Sequence, residues 1–214
     1  MRRSTLAIAI TLLGVCVTQA QTITFYTPST VRVLKEAPNH TPMQGDNLSL
    51  VVRATPQSVN VRTTDDGQTA TYSSVLLTVK VNKDSGKVSF YDASGNLLVA
   101  EAEYGFSSID SGPDKGRYAV RQEWRLDTGE AIYGFGMMQN GKMNMRGVNR
   151  LMIQENQEDF ANVFQSIKGY GIYWDNYSPT ALADSNNVLS LESQVGAKVD
   201  YYFMYGQTAD GVIS

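Results

Sequence analysis

Polar and apolar residues alternate along several segments of this chain, and the alternation restricts the fold more than any other feature of the sequence. In residues 118–126, one face of a strand would carry Tyr118, Val120, Gln122, Trp124 and Leu126. The same alternation recurs in residues 75–81 and 199–205. Successive side chains of a β-strand point to opposite faces, so this period indicates strands with one buried face.

Turn signals at short spacing separate these segments. They include Asp66-Gly67, Ser85-Gly86, Lys115-Gly116 and Asn140-Gly141. Dipeptides of this kind mark tight turns, and many short strands joined by them are typical of sandwiches and barrels. We therefore predict an all-β chain with few or no helices, folded as an antiparallel β-sandwich that forms one domain over residues 21–214.

The segment 157–167 fits two interpretations. Phe160, Val163, Phe164 and Ile167 have the spacing of one face of a helix. However, the Asn, Gln and Ser residues between them are weak helix formers, and Gly169 closes the segment tightly. We favour a strand here.

The first 20 residues have the features of a signal peptide. A basic pair at positions 2 and 3 precedes an apolar run over residues 6–17, which is shorter than the roughly 20 apolar residues that a membrane span needs. Thr18 and Ala20 then supply a small-residue cleavage site. We predict that residues 1–20 are removed and that the domain is secreted or periplasmic; a lipoprotein anchored through Cys16 is the alternative.

Composition excludes several classes of site. The chain has 18 basic and 21 acidic residues, and loss of the signal segment would make its net charge more negative than −3. Such a surface repels nucleic acid. Cys16 is the only cysteine and His40 the only histidine, so a disulfide, a histidine-based triad and a multi-histidine zinc site are excluded.

Aromatic residues give a more specific signal. Two clusters stand out: Tyr170, Tyr173, Trp174 and Tyr177, and then Tyr201, Tyr202, Phe203 and Tyr205. Sugar rings stack well on aromatic faces, but aromatic side chains are also the usual filling of a sandwich core. The core is the preferred interpretation, and a sugar-binding platform at residues 170–177 is the alternative.

Three ordered blocks of sequence resemble one known family. The first spans residues 132–147 and contains a tyrosine and glycines, then Gln139, a turn, Asn144 and Arg146-Gly147. Residues 151–156 and 168–178 follow at sensible spacing. Together they resemble the N-terminal, galactose mutarotase-like β-sandwich of glycoside hydrolase family 31, in a form similar to the bacterial α-xylosidases.

The resemblance implies a role beside a separate catalytic domain. In the family, the chain continues from the sandwich into a (β/α)8 barrel, which carries the aspartate nucleophile and the aspartate acid/base; residues 21–214 contain no counterpart of that barrel. We therefore assign no catalytic residue and expect the chain alone to be inactive. The barrel is the expected partner domain, and it would pack against an exposed apolar patch of the sandwich.

The same resemblance implies the reaction and a candidate site. The enzyme would be a retaining exo-α-glycosidase that removes α-linked xylose or glucose from oligosaccharides or polysaccharides, with no metal and no organic cofactor. A sandwich loop would close one side of its pocket, and by position that loop carries Gln154, Glu155 and Asn156, whose amides and carboxylate can bind sugar hydroxyls. A free-standing, lectin-like carbohydrate-binding module remains the alternative function.

Overall fold

The computed structural model of the chain describes residues 21–40, 48–156 and 158–213. The predicted signal peptide therefore lies outside the described residues. The strands are β1 Gln21–Thr27, β2 Thr30–Glu36, β3 Arg62–Asp65, β4 Thr69–Ser73, β5 Leu77–Asn82, β6 Val88–Asp92, β7 Leu97–Ser108, β8 Tyr118–Arg125, β9 Ile132–Met137, β10 Asn149–Met152, β11 Asp159–Ser166, β12 Tyr170–Trp174, β13 Thr180–Ser185, β14 Val188–Gly196 and β15 Lys198–Tyr205. The described residues contain one helical element, the 3₁₀ turn Asp210–Val212. No helix of the described residues is long and apolar enough to cross a bilayer.

The strands form two antiparallel sheets. The smaller sheet has six strands in the order β1-β2-β15-β12-β11-β9, and the larger has nine in the order β10-β13-β14-β8-β7-β6-β5-β4-β3. The hydrophobic core lies between them and is rich in aromatic rings, for example Phe90 stacked on Phe203 with ring centroids 4.0 Å apart. The predicted all-β sandwich is confirmed.

The alternating strands behave largely as their sequences predict. In β8, Val120, Gln122 and Trp124 are fully buried while Arg125 is exposed. Residues 75–81 follow the prediction only from Leu77 onward, because the strand begins at Leu77 and Val75 is 74% exposed. Period two therefore holds where the backbone is paired and fails at the turn that precedes it.

Strand β11 confirms the strand interpretation of the segment 157–167, of which residue 157 lies outside the described residues. Phe160 pairs with Gly136 and Phe164 with Gly134, so four steps along β11 oppose only two along β9, and the two extra residues form a bulge. Val163 and Ile167 are 37% and 50% exposed whereas Phe164 is buried, so the four apolar residues do not form one buried face, as they would in a helix.

Glycines in β9 make this bulge possible. Gly134 and Gly136 have φ angles of 126° and 85°, and a Cβ atom at Gly136 would lie 2.1 Å from the carbonyl oxygen of Asp159. Phe135, between them, is buried and also has a positive φ of 63°. The Tyr-Gly-Phe-Gly part of the first sequence block is therefore required by backbone geometry.

A buried polar cluster joins the two sheets. Lys35 of the smaller sheet lies 2.5 Å from a carboxylate oxygen of Glu101 in the larger sheet, and the Tyr201 hydroxyl donates to the other oxygen at 2.7 Å. The amide of Val88 donates to Glu101 at 2.8 Å. Burial lowers the pKa of Lys35, and the nearby Glu101 carboxylate opposes that shift. The Glu101 carboxylate is thus fully engaged, as a buried charge requires.

Candidate functional site

A large concave surface lies on the outer face of the six-stranded sheet, the face that points away from the core. It is a groove of about 1020 Å³, at the upper end of the roughly 300–1,000 Å³ that small-molecule sites occupy. Four tyrosines line it, Tyr26, Tyr173, Tyr177 and Tyr202, and we call it the tyrosine groove. Among the described residues, none of the side chains that line it is charged.

The bulge in β11 forms one wall of the tyrosine groove. Residues 160–163 line the groove, and Val163 is 37% exposed there. The side-chain amide of Asn162 donates to the carbonyl oxygen of Asn176 at 2.6 Å, which ties the bulge to the turn after β12. Gly134 and Gly136 of β9 therefore contribute to the groove indirectly, because they allow the bulge that forms this wall.

Asp175 fixes two of the groove tyrosines. The hydroxyl of Tyr177 donates to Asp175 Oδ1 at 2.5 Å, and that of Tyr173 donates to the same oxygen at 3.2 Å. The amide of Leu50 donates to the Tyr177 hydroxyl oxygen at 2.7 Å. Asp175 itself is only 6% exposed. Burial and the adjacent carboxylate raise the pKa of Tyr173, so its hydroxyl stays protonated and can serve as a donor.

The floor of the groove continues across the sheet to Tyr202. Its ring centroid lies 5.9 Å from that of Tyr173 and 5.3 Å from that of Tyr26, which meets it edge-on. On the adjacent strand, the guanidinium of Arg32 lies 5.4 Å from the Tyr202 ring centroid. These contacts leave the aromatic floor little freedom to rearrange.

The charged side chains next to the Tyr202 ring are paired. Arg32 donates through Nε and Nη2 to the two carboxylate oxygens of Asp200, at 2.8 and 2.6 Å, and Lys198 lies 3.1 Å from the same carboxylate. Bonding to Asp200 outweighs burial and raises the pKa of Arg32. This pairing explains why β15 buries Asp200 on the face that simple alternation would leave to solvent.

The structure divides the aromatic cluster at residues 170–177 between two environments. Tyr170 and Trp174 are fully buried in the core, where Tyr170 donates to Glu130 at 2.5 Å and Trp174 to Ser193 at 2.8 Å. Tyr173 and Tyr177 line the groove. The core interpretation is correct for the first pair, and only the second pair is available as a platform.

The loop between β10 and β11 contains the predicted substrate-binding residues Gln154, Glu155 and Asn156. Gln154 lines the groove, but both polar atoms of its side chain are hydrogen-bonded to the backbone of Phe160. Its oxygen accepts from the Phe160 amide at 3.0 Å, and its amide nitrogen donates to the Phe160 carbonyl oxygen at 3.1 Å. Glu155 is exposed, with its carboxylate 3.9 Å from the guanidinium of Arg150. Asn156 is exposed as well. Sugar contact by these three residues stays a prediction.

Arg146 of the first sequence block has a structural role. Its guanidinium donates to Asp184 at 2.8 Å, to the side chain of Asn187 at 2.9 Å, and to the carbonyl oxygens of Asp127 and Glu130 at 3.0 and 2.6 Å. Four such bonds hold the loop after β9 against the β13–β14 hairpin of the larger sheet and against the connection between β8 and β9. This part of the block is therefore explained by structure.

Sequence reasoning did not identify Asp175, Tyr26 or Tyr202 as groove residues. Asp175 directly follows the buried Trp174, and its acidic side chain at the end of a strand was the available signal. Tyr202 alternates with the core residues Tyr201 and Phe203, so period two already assigned it to the outer face. Among the described residues, no cluster of three or more His, Cys, Asp or Glu could hold a metal ion.

Comparison with known proteins gives consistent matches. Residues 20–182 match the family model for the glycosyl hydrolase 31 N-terminal galactose mutarotase-like domain. The chain is 30% identical over 175 residues to an α-xylosidase from Saccharolobus solfataricus, an alignment that covers 77% of this chain and 24% of that enzyme. The chain thus spans about a quarter of the length of that relative.

Solved structures of the same family share the fold. A GH31 α-xylosidase from a soil metagenome, complexed with xylose, superposes with a TM-score of 0.75 at 22% identity over 88% of this chain and 30% of its own. The GH31 α-xylosidase from Xanthomonas citri superposes with a TM-score of 0.70 at 26% identity over 80% of this chain and 18% of its own. The chain belongs to the glycosyl hydrolase 31 N-terminal galactose mutarotase-like domain family.

Proposed function

We propose that this chain is the N-terminal domain of a secreted, retaining exo-α-glycosidase of the α-xylosidase type, and that it shapes the active site of a separate catalytic domain. The family match carries the proposal, because the matched model describes an N-terminal domain and covers residues 20–182. The Saccharolobus solfataricus α-xylosidase supports the activity class at 30% identity. The substrate would be an oligosaccharide or polysaccharide that ends in α-linked xylose or glucose.

The chain alone should not hydrolyse glycosides. Retaining hydrolysis needs two carboxyl groups about 5–5.5 Å apart, and the family resemblance assigns both to the barrel. The test is an assay of the purified chain with 4-nitrophenyl α-D-xylopyranoside. Release of nitrophenol at the rate of the buffer blank supports the proposal, whereas steady release in proportion to protein concentration would contradict it.

The loop with Gln154, Glu155 and Asn156 is proposed to contact substrate in the enzyme that contains this domain. Asn156 is the sharpest probe, because its exposed side chain can be removed without disturbing the bonds that Gln154 makes to Phe160. Asn156→Ala should lower kcat/KM about tenfold, the effect of one lost hydrogen bond to substrate. Thr64→Ala, at an exposed position of β3, is the matched control; equal kinetics in both variants would remove the loop from the site.

Secretion is proposed from residues 1–20 and has its own test. Expression of the chain in a bacterial host, followed by mass spectrometry of the exported protein, should give a product that begins at Gln21. An uncleaved product, or one that carries lipid on Cys16, would contradict cleavage after Ala20.

A free-standing carbohydrate-binding module is the second candidate function, and the exposed tyrosines of the groove favour it. Tyr177 is 54% exposed on a surface where no lining residue in the described part of the chain is charged. The two functions differ in their relation to a catalytic domain. A free-standing module binds saccharide without one, whereas a shaping domain changes the kinetics of the catalytic domain.

A further inference from the structure

We propose that the tyrosine groove, which begins at Gln154 of the loop at residues 154–156, is a saccharide-binding site that takes a neutral α-linked oligosaccharide. The choice of α-linked sugars rests on the proposed function. The existence and location of the site rest on the geometry of the groove.

The lining of the groove matches the chemistry of a sugar. Sugars present apolar C–H faces and a rim of neutral hydroxyl groups. The groove offers aromatic and aliphatic surface for the faces, and uncharged amides and hydroxyls for the rim, such as those of Asn162, Ser178 and Thr30. Since none of the described side chains that line it is charged, an ionic ligand would bury its charge against them without a partner, which is unfavourable.

The volume fits more than one sugar unit. At about 1020 Å³, the groove is as large as sites that enclose drug-sized ligands of several rings. A monosaccharide would leave much of the aromatic floor uncovered. An oligosaccharide can contact the half-buried Tyr173 and the exposed Tyr177 together, and longer ligands should therefore bind more tightly than xylose or glucose.

The binding surface is already in place without ligand. Asp175 holds the hydroxyls of Tyr173 and Tyr177, and Tyr202 is packed between its neighbours. Rings that are fixed in advance lose little conformational entropy when a ligand binds. Dedicating a buried carboxylate to two tyrosine hydroxyls at an exposed surface is difficult to explain by stability alone, because a buried charge is costly to desolvate.

Unused polar atoms remain beside the rings. Asn162 donates to the carbonyl oxygen of Asn176, and its own Oδ1 is still able to accept a bond. Oδ2 of Asp175 is buried without a hydrogen-bond partner among the described residues. A sugar hydroxyl can donate to the Asn162 oxygen, whereas Asp175 Oδ2 lies out of contact with solvent and would be satisfied by a buried water.

The test is isothermal titration of the purified chain with α-1,6-linked glucose trisaccharide and with α-xylosyl-1,6-glucose, compared with glucose and xylose. At least one α-linked oligosaccharide should bind, and more tightly than its monosaccharide. Tyr177→Ala should weaken binding about tenfold, since it removes one stacking face. Tyr177→Phe keeps the ring and should weaken binding less.

Matched variants make the result specific. Tyr91→Ala removes a half-buried tyrosine from β6 of the other sheet, where Lys80 covers its ring, and should leave affinity unchanged. The unfolding midpoints of all variants show whether any loss reflects misfolding. Failure of the wild-type chain to bind either oligosaccharide would overturn the proposal, and so would equal losses in Tyr177→Ala and Tyr91→Ala.

Two outcomes separate this inference from the proposed function. A chain that binds no saccharide but self-associates or binds a hydrophobic dye through the groove would identify a protein-docking surface, and would overturn the groove proposal alone. A chain that binds saccharide and also cleaves 4-nitrophenyl α-D-xylopyranoside would overturn the proposed non-catalytic role but not the groove.

Discussion

The two faces of the six-stranded sheet use the same residue types for different purposes. On the inner face, Tyr201 is fully buried and its hydroxyl donates to Glu101, a group that joins the sheets. On the outer face, the next residue, Tyr202, forms the floor of a groove beside Tyr173. Each face also contains a buried ion pair, Lys35–Glu101 inside and Arg32–Asp200 outside. Tyrosine and paired charge therefore do not by themselves distinguish core from site.

What distinguishes the faces is whether the polar network is closed. Inside, the carboxylate of Glu101 receives a lysine, a tyrosine hydroxyl and a backbone amide, and is fully used. Outside, Asp175 holds two tyrosine hydroxyls through one oxygen and leaves the other without a partner among the described residues. A closed network contributes stability and specificity of folding, whereas a buried oxygen without a partner costs stability unless a water satisfies it.

The largest effect is expected from opening the inner network. Lys35→Met removes the cation from a site where its side chain is only 1% exposed, and leaves the Glu101 carboxylate buried without its counter-ion. Such a change destabilises by about 3–5 kcal/mol. Urea unfolding should show this loss, and adding Glu101→Gln to the same chain should recover part of it. A loss below about 1 kcal/mol would mean that the inner network contributes little.

The next effect is expected at the bulge that forms the groove wall. Gly136→Ala places a Cβ atom 2.1 Å from the carbonyl oxygen of Asp159 at a φ of 85°, and strain of this kind costs about 1–3 kcal/mol or more. Gly141→Ala is the matched control, because Gly141 has a φ of 67° but a Cβ atom added there would meet no atom within 4 Å. Unfolding midpoints should fall clearly further for Gly136→Ala; equal shifts would show that backbone conformation alone, and not the close approach of β11, requires the glycine.

Adjacent tyrosines give a direct contrast between the faces. Tyr201→Phe removes the hydroxyl that donates to Glu101, and an unsatisfied buried acceptor costs about 1–3 kcal/mol. Tyr202→Phe removes a hydroxyl that is buried without a hydrogen-bond partner among the described residues, and should therefore cost less stability. Chemical denaturation of both variants measures the contrast. It would be lost if the two substitutions changed stability to the same extent.

A smaller effect is expected from alkaline pH. Burial, together with the carboxylates of Glu130 and Glu101, raises the pKa of Tyr170 and Tyr201 well above 10.0. The unfolded tyrosines lose protons as pH rises through 10 while the folded ones keep theirs, so the stability present below pH 10 is lost progressively above it. Lys35, whose pKa is lowered from 10.5, acts in the opposite direction below pH 10.5, because there the unfolded chain holds the extra proton.

The pH effect can be assigned by substitution. Unfolding midpoints measured between pH 9 and pH 12 should fall as pH rises, and Tyr170→Phe should reduce the slope above pH 10.5 because one fewer raised pKa remains. A midpoint that rises throughout this range would contradict the sign worked out from the tyrosines.

Much of the fold could be predicted because period two is local. Strand β8 shows its buried face in consecutive residues, and no distant contact is needed to recognise it. The bulge in β11 could not be read in the same way, since it depends on glycines in β9, about 25 residues earlier in the chain. The helix-like spacing of Val163 and Ile167 does not correspond to a buried face, because both side chains are exposed.

The candidate site was harder to predict than the fold. The family resemblance directed attention to the loop with Gln154, but the groove is assembled from strands far apart in sequence, with Tyr26 near the start and Tyr202 near the end. The Lys35–Glu101 pair was not predicted for the same reason, since 66 residues separate its partners. Local patterns show which side chains leave the core, but not which of them meet on the surface.

The most direct test of the account is a nuclear magnetic resonance titration of the folded chain with α-xylosyl-1,6-glucose or the α-1,6-linked glucose trisaccharide, with backbone amides assigned. Saturable shifts should concentrate on the outer face of the six-stranded sheet, at Asn162, Tyr173 and Tyr177, and be absent from the nine-stranded sheet, for example from Thr78 and Lys80 of β5. Shifts that are absent, that do not saturate, or that concentrate on the nine-stranded sheet would contradict the claim that the open face of the smaller sheet is the binding face.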